Sequence, residues 1–404
     1  MSNNNEKVFL GPTVSMLLMG DYDINLGKPV TQKQKYAGIS VVVPTFKRVD
    51  LCQRLLASLG QSKLYLQAPV EIIFVDNSPL PQAQQIHALC MEYGAKYYLK
   101  KTSVSAKRNF GAKIASHSIV LFVDSDCEAS PQLLAEHLES YQKDSSVVAV
   151  LGKTNFKGPT TWMWRVLQFT CFLMAFRLAD KEGQRVWGPS NNLSCRKETF
   201  LQVGGFDETF PKKPGGEDID FGYRLYKQGY LLTTNPEALV YHTTETWNTI
   251  SQVVSRLFNW GKAELYLFEH HREFIRYECP KCWGLFLAML PVALVAAVAC
   301  LSPQWLLLPM VFLAVNFLSR ILLHISYNPE RLGRFFDVLI AEVLILVFEF
   351  GLAYECWREK WFIPLFNRLI VVPEDALVNW NSQVIYSWIL MVQILISVSL
   401  VKVL

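Results

Sequence analysis

The sequence has no strong excess of charge. Its 39 basic and 35 acidic side chains leave a formal charge of +4 over 404 residues. That is too little for a polyanion-binding surface or a solvated, disordered tail, so nucleic acid is excluded as an expected partner. There is no disulfide framework either, because the nine cysteines are scattered without regular spacing. No signal-peptide pattern precedes the first strand. Together these absences favour a reducing, cytoplasmic setting for the soluble part. Cys279 and Cys282 have CxxC spacing, but with no second pair the spacing is read as chance and not as a zinc or redox motif. Up to residue 280 no apolar run is long enough to span a bilayer, and the patch Val14–Met19 is far too short.

What the first 280 residues lack, the last 120 supply. Gly284–Leu301 is uncharged and long enough to cross, and Trp305–Leu323, Val338–Cys356 and Val384–Val401 are further candidates. Glu342 and Glu349 lie seven apart on one face of the third, with Arg320 as the candidate partner. Four spans would return the C-terminus to the side of the soluble domain. The 324–336 loop with Arg331 and Arg334 would then be cytoplasmic. Arg358, Lys360 and Arg368 would fall outside, against the positive-inside tendency, so Trp357–Ile370 is open to a re-entrant or interfacial reading. The chain divides into an N-terminal extension (1–37), an α/β domain (38–246), amphipathic interfacial helices (247–283) and a transmembrane region of about four helices (284–404). Thr161–Leu178 reads as one amphipathic helix, either interfacial or packed in the core.

Within 38–246, apolar runs alternate with amphipathic stretches. Ile39–Pro44, Val70–Asp76 and Ile119–Val123 read as strands buried on both faces. Asp50–Leu59, Pro81–Tyr93 and Val104–Ser116 read as helices between them. This order predicts a parallel, doubly wound sheet with ligands at the carboxyl ends of its strands. The third strand runs into Asp124-Ser125-Asp126. Two carboxylates there suit a divalent cation carrying phosphates. Read alone, they equally suit a loop that caps the next helix.

Four clusters occur in order: Pro44-Thr45-Phe46-Lys47-Arg48; Val75-Asp76-Asn77-Ser78; Ala106 to Gly111 with Asp124-Ser125-Asp126; and Gly204 to Glu208 with Gly215-Gly216-Glu217-Asp218. Over roughly residues 38 to 265 they closely resemble the family 2 glycosyltransferases. The resemblance implies an α/β fold with a doubly wound mixed sheet of the glycosyltransferase A type, followed by an α-helical transmembrane region. It also implies an inverting, metal-dependent sugar transferase with a UDP-sugar donor and a lipid or lipid-linked acceptor, multi-pass in the cell membrane with its catalytic domain cytoplasmic.

The resemblance carries roles onto particular residues. Asp218 would be the base that takes the acceptor proton, with Glu217 orienting hydroxyls beside it. An acidic pair favoured by the helix dipole is the alternative reading, and it accounts for Asp220 as well. Pro44, Thr45, Arg48, Asp76, Arg108, Asp124, Asp126 and Asp207 would contact the donor, Asp76 through a uracil ring N–H. Asp126, Asp124 and His242 would hold manganese or magnesium. Trp187, Asn191 and Asn192 would line the donor and acceptor cleft, and Arg256 would reach the diphosphate. The segment Ser255–Trp260 lacks the Gln-x-x-Arg-Trp motif of processive members. That weighs against the first alternative, a polysaccharide synthase that extrudes its product. The second alternative is a non-catalytic sugar-nucleotide binder, which would have no need of a base.

Overall fold

The computed structural model describes residues 36–210, 215–277, 281–327, 333–369 and 373–404. The Val14–Met19 patch, Cys279 and Arg331 lie outside the described residues. The chain separates into two compact units. One ends at Thr160 and resumes over Leu173–Asn248; the other holds Thr161–Phe172 and Thr249–Leu404.

In the first unit the elements are β1 (Ile39–Thr45), α1 (Val49–Tyr65), β2 (Val70–Asp76), α2 (Gln82–Glu92), β3 (Lys96–Leu99), α3 (Val104–Ile114), β4 (Ile119–Val123), β5 (Cys127–Ala129), α4 (Leu133–Lys143) and β6 (Ala149–Lys157). After α5 (Trp162–Leu167), which belongs to the second unit, come β7 (Gly183–Arg185), β8 (Asn192–Arg196), α6 (Lys197–Gln202), α7 (Glu217–Lys227) and β9 (Leu232–Thr243). Strands β1 and β4 are buried at every residue. Strands buried on both faces are mostly apolar, which is why these two are dominated by Val, Ile, Leu and Phe, with buried Ser40 donating to Glu71. Leu55, Leu56 and Leu59 of α1 fill one side against Val41, Val43 and Phe74.

The sheet order is β3-β2-β1-β4-β8-β6-β9-β5, with β7 on β9. The first four strands are mutually parallel, in register Thr45 with Asp76 and Val42 with Phe122. This register brings Thr45, Asp76 and the Asp124 turn to one edge. Beyond β4 the sheet turns mixed. β8 runs antiparallel to β4 and β6, β6 and β9 are parallel, and β5 returns antiparallel on β9. The mixed, doubly wound α/β sheet therefore matches the fold expected from the sequence.

The second unit contains α8 (Ile250–His270), β10 (Ile275–Tyr277), α9 (Cys282–Ala299), α10 (Leu308–Tyr327), α11 (Phe335–Arg358), β11 (Asn367–Leu369) and α12 (Pro373–Val403). Among the described residues, two helices are long and apolar enough to cross a membrane, α9 and the stretch Pro303–Ser326 that contains α10. The partner expected for the intramembrane acids is present. Arg320 donates from Nε to Glu342 at 2.9 Å and from Nη1 to Glu349 at 2.9 Å. One expectation is corrected. Thr161–Leu178 is not one helix but α5 and a separate 3-10 turn, Met174–Arg177.

Candidate active site

Helix α3 is the hub of the site. Ser103 caps it by accepting from Ala106 N–H at 3.2 Å, which fixes its first turn against the sheet edge. The Arg108 side chain, 3% exposed, forks between two segments more than ninety residues apart. Its Nη2 donates to Asp124 Oδ1 at 2.7 Å and its Nη1 to Glu217 Oε1 at 3.1 Å. One guanidinium thus draws the acidic turn after β4 and the acidic start of α7 into a single wall. Such charge-assisted pairs in a dry setting are strong and directional.

Glu217 and Asp218 open α7 because Gly216 precedes them with φ of 85°. That left-handed conformation is open to glycine at little cost and lets the chain turn sharply into the helix. Glu217 is buried, and its Oε2 accepts from Gly215 N–H at 2.7 Å. Asp218 keeps partial exposure and accepts from Ile219 N–H at 3.0 Å. Burial, then the neighbouring Glu217 charge, raise its carboxyl to about 7, while Arg108 opposes the rise. Asp220, omitted from the sequence-derived site, is fully buried and pairs with Arg224 at 2.7 Å.

Asp126 lies 5% exposed among polar groups. Its Oδ2 stands 2.8 Å from Arg48 Nη1, 3.5 Å from His242 Nε2 and 3.4 Å from Thr246 Oγ1. His242 is aligned by strand pairing, since β5 and β9 register Cys127 opposite it. Its Nδ1 lies 2.9 Å from the Thr243 carbonyl. With Nδ1 donating there, Nε2 faces the Asp126 carboxylate, and the pair would offer the oxygen and nitrogen donors that a divalent cation such as manganese takes. Ligand atoms of Asp126, Cys127 and His242 lie within 4.8 Å of one another. Burial pushes the Cys127 thiol well above its ordinary value. It therefore keeps its proton and is the weakest of the three as a ligand.

Other expected residues are placed as follows. Asp76 is fully buried. It accepts from Ser78 N–H at 2.8 Å, from the Ser78 hydroxyl and from the Tyr97 hydroxyl at 2.8 Å. A nucleobase would share a carboxylate that already accepts three hydrogen bonds. Pro44 and Thr45 end β1 at this edge, and Thr45 contributes its carbonyl to Lys107. Asp207 caps its own turn, accepting from Thr209 N–H at 2.7 Å. Arg256 lies on α8, in the other unit.

Trp187, Asn191 and Asn192, expected to line the cleft, are at most 4% exposed. Asn192 donates to the carbonyls of Lys153 at 2.9 Å and Ala238 at 2.7 Å, and its Oδ1 meets His137 at 2.9 Å. Asn191 donates to Thr154 Oγ1 at 3.1 Å. Trp187 packs on α7 where Gly222 leaves room for it. These side chains brace the strands and α7 from behind. Polar groups in a strand buried on both faces must find partners inside it.

Sequence reasoning missed Lys107. It is 5% exposed, and its Nζ donates to Thr45 O at 2.8 Å and Asn77 Oδ1 at 2.9 Å. It ties the ends of β1 and β2 together, and burial lowers its pKa to about 8. Its place beside Arg108 in the first turns of a helix that faces the strand ends was the available signal. Asn109 was missed too. It clamps the next loop through Phe206, donating to its carbonyl at 2.7 Å and accepting from its N–H at 2.8 Å.

Residues 40–210 match the profile of Glycosyl transferase family 2. This stretch is a family 2 glycosyltransferase domain. Over 230 residues the chain is 26% identical to a validoxylamine A glucosyltransferase of Streptomyces hygroscopicus subsp. jinggangensis (strain 5008), covering 50% of this chain and 54% of that protein. Over 257 residues it is 25% identical to a chondroitin synthase of Pasteurella multocida (strain Pm70), covering 53% of this chain and 25% of that protein. The matches thus span between a quarter and about half of these relatives. A mannosyltransferase of Pyrobaculum calidifontis, solved with GDP-Man and Mn2+, shares the fold. It has a TM-score of 0.50 at 14% identity, over 82% of this chain and 91% of that one. Asp124 lies inside the matched residues and Glu217 just beyond them, and Arg108 joins the two.

Proposed function

We propose that the chain transfers a sugar, with inversion, from a nucleotide donor to a membrane-associated acceptor. The observation that carries this reading is the fork of Arg108 between Asp124 and Glu217, with the raised carboxyl of Asp218 next in the chain. In an inverting transfer one base takes the acceptor hydroxyl's proton as the bond from the sugar to the diphosphate breaks. Asp218 is that base. A carboxyl near 7 is well matched to gaining and losing a proton at neutral pH. Glu217 and Arg108 hold the start of α7 so that Asp218 faces the acceptor oxygen.

Asp126 and His242, with Asp124 nearby in the chain, are the residues that would hold a divalent cation, manganese or magnesium. When bound, such a cation supplies positive charge against the nucleoside diphosphate leaving group. Arg48, in ion contact with Asp126, is placed to meet the same phosphates. The GDP-Man and Mn2+ held by the structural neighbour support a nucleotide-sugar donor and a cation in the same fold. A uridine nucleotide is the donor we favour. The two apolar helices favour a lipid or lipid-linked acceptor.

The test is direct. Detergent-purified full-length protein is incubated with labelled UDP-sugars and GDP-mannose and a membrane lipid extract, with and without EDTA. A chloroform-soluble labelled product that disappears with EDTA supports the reading. A long insoluble polymer would support a synthase instead, and no turnover with any donor would leave only a binder. Asp126→Ala and His242→Ala should each abolish Mn2+ binding measured by electron paramagnetic resonance. Wild-type titration curves in both variants would remove the cation from this site.

A further inference from the structure

The second unit contains a parity constraint. β10 lies before α9 in the chain and β11 lies after α11, yet the two strands pair antiparallel, Ile275 with Leu369 and Arg276 with Arg368. Lys281 reinforces the junction. Its N–H donates to Leu365 O at 2.9 Å, and its Nζ donates to Pro364 O at 3.0 Å and Asn367 O at 2.8 Å. The start of α9 and the end of α11 therefore sit together on one face. A chain that crosses a bilayer three times ends on the face opposite its start, so α9, α10 and α11 cannot all cross.

The helix that stays out is α11. α9 and α10 pass by length and apolarity, whereas α11 carries Asp337, Glu342, Glu349, Glu355 and Arg358. It lies parallel to the amphipathic α8. Gly261 abuts the Phe348 carbonyl and Gly351 the Phe258 carbonyl, closer than any Cβ would allow. Further along, Lys262 Nζ is 3.4 Å from Glu355, and Tyr266 accepts from Arg358 at 3.4 Å. The outer face of α11 is one stripe of Phe336, Val343, Phe350, Tyr354 and Trp357, 40% to 75% exposed. The stripe gives α11 an apolar side able to enter one leaflet, while its acids face Lys262 of α8 and Arg320 of α10.

Two further contacts agree. Arg320 and His324, which meet Glu342 and Glu349, occupy the last two turns of α10. With α11 in the interface plane this ion cluster sits at the polar boundary and not at mid-bilayer, where charge is costly. Helix α12 is antiparallel to α10. Asn316 donates to Gln393 at 2.9 Å, and Val401 packs with Leu308 and Ala293 near the α9–α10 turn.

We propose that α11, with α8 beside it, is a platform seated in one leaflet by its exposed apolar stripe. Only α9, α10 and α12 cross, so the C-terminus emerges on the face opposite the start of α8. This replaces the four crossings expected from the sequence, and it rests on the membrane reading given above. It also removes the conflict over Arg358, Lys360 and Arg368, which return to the face that carries Arg334.

Cysteine accessibility in full-length protein tests it. Sealed vesicles are prepared in which added protease digests the glycosyltransferase domain, and a membrane-impermeant maleimide is applied before and after permeabilisation. Cys300, exposed at the α9–α10 turn, is the native probe. Glu359→Cys and Leu404→Cys, each on a Cys300→Ser background, supply the others. Position 359 should label at once, and positions 300 and 404 only after permeabilisation. Protection at 359, or immediate labelling at 404, is the pattern four crossings require and would overturn the proposal. Immediate labelling at all three sites in protein that resists alkaline carbonate would overturn the topology alone. Release of the protein by carbonate would remove the membrane reading and this proposal with it.

Discussion

On the proposed reading Asp218 is the residue on which the chemistry turns, and its surroundings fix what its loss and its titration should look like. Removing a positioned general base costs about 10²- to 10⁴-fold in rate, or about 3–5 kcal/mol of barrier. Asp218→Asn keeps the shape and the N–H acceptor of the side chain but cannot take a proton. It should lower kcat by that factor and leave nucleotide binding in place. The wild-type pH profile of kcat/KM, which reports groups of the free enzyme, should show an acid limb near 7. Slope one would then give roughly tenfold loss at pH 6 and roughly hundredfold at pH 5. The causes of the shift supply an internal control. Burial and the Glu217 charge raise Asp218, whereas Arg108 lowers it. Glu217→Gln should therefore move the limb to lower pH, on the order of one unit.

Stability must move the opposite way. A carboxyl raised above its unfolded value holds an extra proton in the native state between roughly 4 and 7. Its contribution to stability is present at acid pH and is lost as pH rises through 7. Asp218→Asn should therefore melt higher than wild type at pH 8 and close to it at pH 5. Scanning calorimetry at the two pH values, beside nucleoside diphosphate release from the donor found active, measures both effects. A flat kcat/KM profile from pH 5 to 8, or Asp218→Asn within tenfold of wild type, would refute the assignment.

The remaining predictions concern the frame around that carboxyl. Arg108→Ala leaves the buried Glu217 without its cation and should cost about 3 kcal/mol or more in urea unfolding. Asp124→Ala should cost less, because that side chain is 28% exposed. Gly216→Ala forces a Cβ into a φ of 85°. It should cost about 1–2 kcal/mol and slow turnover more than it raises donor KM, by moving the start of α7. Asn192→Ala strands two carbonyls and His137 inside the sheet, for about 1–3 kcal/mol. Donor KM in this variant should remain within about threefold of wild type, and a selective KM rise without a stability loss would return Asn192 to the cleft.

Much of the fold was legible because burial on both faces leaves an unbroken apolar signature. The runs Ile72–Val75 and Ile119–Val123 show it, each followed by an aspartate, and Ile39–Val43 shows it but for Ser40. The mixed half of the sheet was less legible. β8 reads Asn-Leu-Ser-Cys-Arg and carries its polar groups inside, answered by His137, Tyr141 and backbone carbonyls from distant strands. No local periodicity announces such partners. The β10–β11 pairing was illegible for a related reason, because it joins segments about ninety residues apart.

The start of α7 bears on the two readings that Glu217, Asp218 and Asp220 left open. If these acids served only the helix dipole, all three would face solvent at the N-terminus, where such charges gain a few tenths to one kcal/mol. Instead each is employed differently. Asp220 is buried and held by Arg224, which also donates to the carbonyls of Val203 and Gly205 and so fixes the preceding loop. Glu217 is buried and divided between Gly215 N–H and Arg108, which joins α7 to the turn after β4. Asp218 alone of the three keeps partial exposure, and it accepts within its own first turn. Two of the acids thus build the frame, and the third is set at its opening with a carboxyl raised to about 7. A dipole effect would lower all three and spare none for chemistry, so the division of labour favours a base at Asp218 over a stabilised helix end.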